Sequence, residues 1–137
     1  MHEPFLYSNL QDCKDLLGQG KTENGIYQIS LPKVGKFNVL CDMKTDGGGW
    51  TVIQKRQDGQ VYFANRTWND YANGFGELTT SFWLGLDKIH ALSNSGIPVT
   101  LRIELRGDLC EDQNGCSKQP NGYWWGEWDF SVSEFNC

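Results

Sequence analysis

The organisation of this chain starts from residues 37–56, which read FNVLCDMKTDGGGWTVIQKR. The apolar residues Phe37, Val39 and Cys41 recur at every second position, which is the period of a half-buried strand. Three consecutive glycines, Gly47–Gly49, then allow positive φ angles that a side chain would oppose. A second β-prone run follows at Trp50–Ile53. The stretch therefore predicts two strands joined by a glycine turn.

Length and composition set the broad class of the protein. With 137 residues, of which 39% are hydrophobic and 21% charged, it fits one soluble globular domain. The net charge of −5 gives no electrostatic reason to expect nucleic acid or an anionic membrane as a partner. No apolar run reaches the length of a transmembrane helix, so membrane insertion is not expected either.

Five cysteines indicate disulfides rather than a metal site. They contain no CxxC pair, and the histidines His2 and His90 are isolated, so no zinc pattern is present. Disulfide bonding indicates an oxidising compartment, and an odd number leaves one free thiol or one bond to another chain. The sequon at Asn65 agrees with secretion and marks a candidate N-glycosylation site. The cysteines are Cys13, Cys41, Cys110, Cys116 and Cys137.

Short strands, frequent glycines and few helices predict an α+β fold with an antiparallel sheet. Helices are expected at residues 12–17, where Asp12 is the candidate cap, at 67–73, where Thr67 is the candidate cap, and at 86–92. The turn Asp58-Gly59 is expected to lead into a strand at Val61–Phe63. Further strands are expected at residues 25–30, 99–105 and 123–132.

A series of motifs resembles the first part of a fibrinogen-related domain, the C-terminal globular module of fibrinogen chains, ficolins, angiopoietins and tenascins. The motifs occur in the family's order and spacing, and so many of them together are very specific. They are Asp12-Cys13, Gly25–Tyr27, Val39–Met43, Gly47–Arg56, Asp58-Gly59, Trp68–Tyr71, Gly74–Gly76, Phe82–His90 and Leu101–Leu105.

The resemblance implies a domain organisation and a function. It implies a leader or linker at residues 1–11 and a partial or short domain at 12–137, divided into a disulfide-linked N-terminal subdomain (12–49) and a central sheet subdomain with short flanking helices (50–137). It also implies a Cys13–Cys41 disulfide. The function implied is that of a secreted, extracellular, non-enzymatic recognition module, lectin-like or protein-binding, in innate immunity or adhesion. Its partner would be an extracellular protein or a glycan.

The chain departs from the family pattern because it is considerably shorter. The family's calcium loop, second disulfide and pocket for acetylated sugars fall in the missing part, so no cofactor or metal is expected here. A late strand that completes the sheet in relatives is also missing. This predicts either an open edge that another chain or an oligomer would fill, or a locally rearranged sheet. This favours an alternative, in which the chain is a structural subunit of a disulfide-linked extracellular assembly through Cys137.

The segment between the last two predicted strands carries two features of its own. Cys110 and Cys116 are close enough to pair locally, or one of them pairs with Cys137, and the sequence does not decide between these connectivities. The tripeptide Arg106-Gly107-Asp108 matches the triplet that integrins recognise on exposed loops. The cation and the carboxylate of such a triplet, separated by a glycine, suit a partner with an acidic pocket and a bound metal ion. The simpler interpretation of the triplet is a turn that needs a glycine between charged residues.

The tryptophan-rich last strand offers a candidate glycan contact. Alternation places Trp124 and Trp128 on one face, expected to lie in the core, and Trp125 with Glu127 on the other. No catalytic arrangement is visible, because His90 has no nearby nucleophile in its motif and the cysteines read as structural. We therefore expect a binding protein and not an enzyme.

Overall fold

A computed structural model describes residues 10–107 and 121–134 of the protein. Within these residues three short α-helices and one 3₁₀ helix (Thr45–Gly47) accompany eight strands, and the strands form three antiparallel sheets ordered β1-β2-β3, β4-β6-β5 and β7-β8. The elements are α1 (Cys13–Gly18), β1 (Gly25–Leu31), β2 (Gly35–Asp42), β3 (Trp50–Val52), β4 (Gln54–Lys55), α2 (Trp68–Asn73), β5 (Phe75–Gly76), β6 (Phe82–Trp83), α3 (Leu86–Ser93), β7 (Val99–Arg106) and β8 (Tyr123–Phe130). The predicted α+β class with antiparallel sheets is confirmed.

The chain separates into two compact units. One unit comprises the residues up to Ser95 together with the segment from Val132, and the other runs from Gly96 to Ser131. The first unit therefore holds the helices and the strands β1 to β6, while β7 and β8 form the second. The division into subdomains at residue 49 stays a prediction.

The first unit is built on the hairpin of β1 and β2. Tyr27 pairs with Val39, and Cys41 pairs in turn with Thr51 of β3. The face of this sheet that carries Ile29, Val39 and Cys41 is buried, as the alternation in the sequence predicts. A disulfide joins Cys13 of α1 to Cys41 of β2, so the pairing implied by the resemblance is confirmed.

The glycine turn has the backbone that its composition predicts. Gly47, Gly48 and Gly49 have φ angles of 87°, 79° and 84°. A Cβ atom at Gly48 would lie 2.1 Å from the carbonyl oxygen of Met43, so the backbone packs against itself here. Only glycine combines this φ angle with this close approach.

Local capping sets where the helices begin. The Asp12 side chain accepts a hydrogen bond from the Asp15 N–H at the start of α1. Thr67 and Asp70 form a reciprocal capping box at the start of α2, and Gly74, with φ of 96°, ends that helix. The caps named from the sequence are therefore confirmed.

The strand predicted at Val61–Phe63 is wrong. The backbone there makes no strand pairing in the described part of the protein, because side chains take up its carbonyl groups. Arg66 Nε donates to the Tyr62 carbonyl at 2.7 Å, and the Tyr71 hydroxyl donates to the Phe63 carbonyl. These contacts hold residues 62–66 as a closed turn that leads into α2.

Candidate recognition surface

The β7–β8 ribbon presents two faces of different chemistry. In its antiparallel register Leu101 lies opposite Trp128, and Arg102 lies opposite Glu127. Because side chains alternate along each strand, the two pairs project from opposite faces. The apolar face carries Val99, Leu101, Ile103, Leu105, Trp124, Trp128 and Phe130, and the polar face carries Thr100, Arg102, Glu104, Arg106, Tyr123, Trp125, Glu127 and Asp129.

Arg102 is the centre of the polar face. Its guanidinium donates to Glu127 Oε1 at 2.7 Å, to Glu104 Oε2 at 3.2 Å and to the Tyr123 hydroxyl at 3.1 Å. The same group lies over the indole of Trp125, with 4.4 Å between Arg102 Cζ and the ring centroid. These neighbours leave the Arg102 side chain 9% exposed.

The contacts of Arg102 fix its charge and the position of Trp125. The hydrogen bond to Tyr123, followed by those to Glu127 and Glu104, raises the pKa of Arg102 above its ordinary value. A permanently charged guanidinium held at several points is a rigid support for the indole above it. Trp125 is nevertheless 58% exposed, so much of the ring still faces outward.

The prediction that Trp124 and Trp128 lie in the core is wrong. Their side chains are 42% and 55% exposed. The alternation was assigned correctly, since both residues share the apolar face. Among the described residues the second unit contains just β7 and β8, so none of its described elements covers that face.

The predicted integrin-binding tripeptide begins at the end of this ribbon. The Arg106 side chain is 75% exposed, and its Cζ lies 4.4 Å from the centroid of the Tyr123 ring. The Gly107 N–H donates to the Gly122 carbonyl at 2.7 Å, which closes the ribbon at this point. The remaining residues of the predicted loop and terminal sites lie outside the described residues; they are Asp108, Cys110, Cys116 and Cys137.

A concave alternative to this surface exists in the first unit but is small. A groove of about 190 Å³ lies beside α3, and Lys88 lines it while donating to the Asn73 carbonyl at 3.0 Å. Small-molecule pockets usually have roughly 300–1,000 Å³. The groove is therefore a weaker candidate for a ligand site than the exposed indole.

The described residues hold neither a metal-binding cluster nor a helix suited to a membrane. They contain no group of three or more His, Cys, Asp or Glu side chains placed to hold a metal ion. None of the helices in residues 10–107 and 121–134 has the length and apolar character needed to cross a membrane.

The fold defines the class of the protein, which is an α+β module tied by a disulfide and carrying a two-sided ribbon. Comparison with known proteins identifies its family. The family model for the C-terminal globular domain of the fibrinogen beta and gamma chains matches residues 9–119. The protein belongs to this family.

Relatives and solved structures agree with this assignment. Ryncolin-4 of Cerberus rynchops is 48% identical over 109 residues, which cover 80% of this chain and 30% of that protein. Human fibroleukin is 49% identical over 113 residues, covering 82% of this chain and 24% of that protein. The fibrinogen-like globe domain of human ANGPTL2 superposes with a TM-score of 0.78 at 31% identity, covering 91% of this chain and 53% of that domain. The chain thus spans less than a third of these two relatives and about half of the solved domain.

Family membership gives the broad class of function. Fibrinogen-related domains form a family of extracellular recognition modules that are generally not enzymes. The ligand and the contact surface of this protein are proposals that its own geometry must support.

The sequence prediction that Trp125 and Glu127 contact a glycan omitted the residue that links these two side chains. Arg102 contacts both, and Tyr123 completes the arrangement. The signal was the alternation of Arg102, Glu104 and Arg106 along β7, which placed charges on one face of the ribbon. Their partners depended on the register between β7 and β8, which a single strand does not specify.

Proposed function

We propose that the protein is a secreted, non-enzymatic recognition module that binds extracellular glycans through the polar face of the β7–β8 ribbon. One observation carries the proposal: Trp125 is 58% exposed yet fixed over Arg102, with 4.4 Å between guanidinium carbon and ring centroid. An exposed aromatic ring held in one position supplies apolar contact area with little further loss of side-chain freedom on binding.

The groups around Trp125 suit the hydroxyl-rich edge of a sugar. Glu127 uses Oε1 for Arg102, and an ionised carboxylate retains further acceptor sites for sugar hydroxyls. The Tyr123 hydroxyl accepts from Arg102 and keeps its own proton to donate. A pyranose stacked on the indole would thus meet acceptor and donor groups at the rim of the ring.

Two tryptophans of β8 provide a matched test. Trp125→Ala removes the proposed stacking ring, while Trp128→Ala removes a ring of similar exposure, 55%, from the opposite face. On an array of immobilised oligosaccharides with and without N-acetyl groups, Trp125→Ala is expected to weaken binding by about tenfold or more. Trp128→Ala should leave binding unchanged. Equal losses in both variants, or a loss in Trp128→Ala alone, would overturn the proposal.

A second candidate is an integrin ligand or antagonist that acts through Arg106-Gly107-Asp108. The observation favouring it is the 75% exposed side chain of Arg106 at the end of the ribbon. Asp108→Glu keeps the charge but lengthens the side chain, so it should abolish integrin-dependent cell adhesion without altering folding. Adhesion that survives this substitution would exclude the tripeptide as the contact.

The remaining alternative is a structural subunit of a disulfide-linked assembly with a second copy of the protein. The outer edges of β7 and β8 have no strand partner within the described residues, which favours pairing across copies. Electrophoresis without reductant should then show a covalent dimer or polymer that disappears on reduction and in Cys137→Ser. A monomer before and after reduction would exclude this role.

A further inference from the structure

The segment that joins β4 to α2 carries the one Asn-x-Ser/Thr triplet of the sequence, Asn65-Arg66-Thr67. Such triplets are common by chance, so the surroundings of Asn65 decide whether this one is a site. Both Asn65 and Thr67 are exposed in the folded protein.

The turn holds Asn65 outward while its neighbours are anchored inward. Arg66 Nε donates to the Tyr62 carbonyl at 2.7 Å, and Arg66 Cζ lies 4.3 Å from the centroid of the Phe75 ring. The Phe63 ring packs edge-on against Phe75 at a centroid distance of 4.9 Å. Residues on both sides of Asn65 are thereby tied to the first unit, and the Asn65 carboxamide is left at the tip of the turn.

The backbone at Asn65 is suited to asparagine. Its φ angle is 61°, in the left-handed region that asparagine tolerates better than most other residues with a side chain. Aromatic side chains stand three positions before and after it, Tyr62 at 74% exposed and Trp68 at 56% exposed. Exposed rings of this kind offer apolar surface to the first sugar of an attached glycan.

We propose that Asn65 is N-glycosylated and that residues 62–68 form the platform on which the glycan stands. The transfer needs a lipid diphosphate-linked oligosaccharide as donor. Asn65 Nδ2 attacks C1 of the first N-acetylhexosamine, the N–C1 bond forms and the C1–O bond to the diphosphate breaks. The Nδ2 proton is released, and the lipid diphosphate leaves with the electron pair of the broken bond, so no oxidation or reduction occurs. Passage through the secretory pathway is assumed here as in the proposed function.

Thr67 has a structural role that the test must separate from a role in glycosylation. Its hydroxyl oxygen accepts from the Asp70 N–H at 3.1 Å and caps α2. Asparagine is as good a helix cap as threonine, so Thr67→Asn keeps the cap while destroying the triplet. Thr67→Ser keeps both the cap and the triplet.

The experiment uses the full chain, secreted from cultured animal cells behind a cleavable signal peptide, so it does not depend on any ligand. Intact mass is measured before and after treatment with peptide N-glycosidase, which removes the glycan and converts the asparagine to aspartate. The wild type and Thr67→Ser should each carry one glycan, and the released protein should contain aspartate at position 65. The variants Asn65→Gln and Thr67→Asn should lack the glycan. If one of these two variants is not secreted, the other gives the same comparison.

Two results would overturn the proposal. One is a secreted wild-type protein that has the mass of the unmodified polypeptide although its Cys13–Cys41 disulfide has formed. The other is a glycan that persists in the variant Asn65→Gln. Neither result bears on oligosaccharide binding at Trp125, because that assay reads a different surface.

Discussion

At the scale of single residues, the glycine turn is where the backbone most strictly limits the type of residue. Gly48→Ala places a methyl group 2.1 Å from the Met43 carbonyl oxygen at a φ of 79°, and should lower the free energy of unfolding by at least about 3 kcal/mol. Gly47 has a φ of 87° with no heavy atom within 4 Å of the added Cβ, so Gly47→Ala should lower it by about 1–2 kcal/mol. Urea unfolding of both variants measures the difference. Equal losses would mean that the Gly48 contact does not constrain the fold.

Asp12 connects a helix cap to the pH dependence of stability. Burial raises the pKa of Asp12, and the nearby Asp15 carboxylate adds to this, although the hydrogen bond from the Asp15 N–H acts in the opposite direction. A folded-state pKa above the unfolded one means that the folded protein binds the proton more tightly. The contribution of Asp12 to stability is therefore lost as pH rises from the unfolded to the folded pKa.

Asp12→Asn should remove this pH-dependent loss and keep the cap. The variant should have a higher melting temperature than the wild type at pH 7, and the gain should shrink as pH falls towards the unfolded pKa of an aspartate. Asp12→Ala serves as the control, because it loses the cap as well and should lower the free energy of unfolding by about 1 kcal/mol. A melting temperature gain that does not vary with pH would contradict the assigned cause.

Sequence patterns predicted the structure well at positions where it depends on neighbouring residues in the chain. The caps at Asp12 and Thr67 depend on neighbours within one helical turn, and the structure confirms both. The failure at Val61–Phe63 has a non-local cause, since Tyr71 and Arg66 bind the carbonyl groups that a strand would have used.

At the scale of elements, the disulfide between α1 and β2 is the main covalent support of the first unit. Cys13 and Cys41 are 0% and 1% exposed, and the bond spans 28 positions of sequence. Loop-closure entropy predicts a loss of about 3–4 kcal/mol in the free energy of unfolding for the double variant Cys13→Ala/Cys41→Ala. Urea unfolding followed by circular dichroism measures it, with the reduced wild type as the comparison. A double variant as stable as the oxidised protein would contradict the prediction.

The ribbon shows how far strand patterns alone can predict a site. Alternation correctly separated Trp125 and Glu127 from Trp124 and Trp128. It did not predict that the apolar face is exposed, because burial depends on what packs against a strand and not on the strand itself. It also missed Arg102, whose role follows from its pairing opposite Glu127.

At the scale of the whole molecule, the family assignment and the proposed site rest on different evidence. The family model covers residues 9–119 and so ends before β8 begins at Tyr123. Trp125 and Glu127 therefore lie outside the matched residues, and their proposed role derives from the geometry of this protein. A ligand known for a relative does not transfer to them.

The most direct test of glycan recognition by the polar face follows the indole N–H signals of the six tryptophans by nuclear magnetic resonance. The probe is the oligosaccharide that binds best on the array, titrated into the full-length protein, and the variants Trp125→Ala and Trp128→Ala assign the two signals. We predict that the Trp125 signal shifts with saturation while that of Trp128 stays in place. A saturable shift of Trp128 or Trp124 with Trp125 unmoved would place binding on the apolar face and contradict the proposed function.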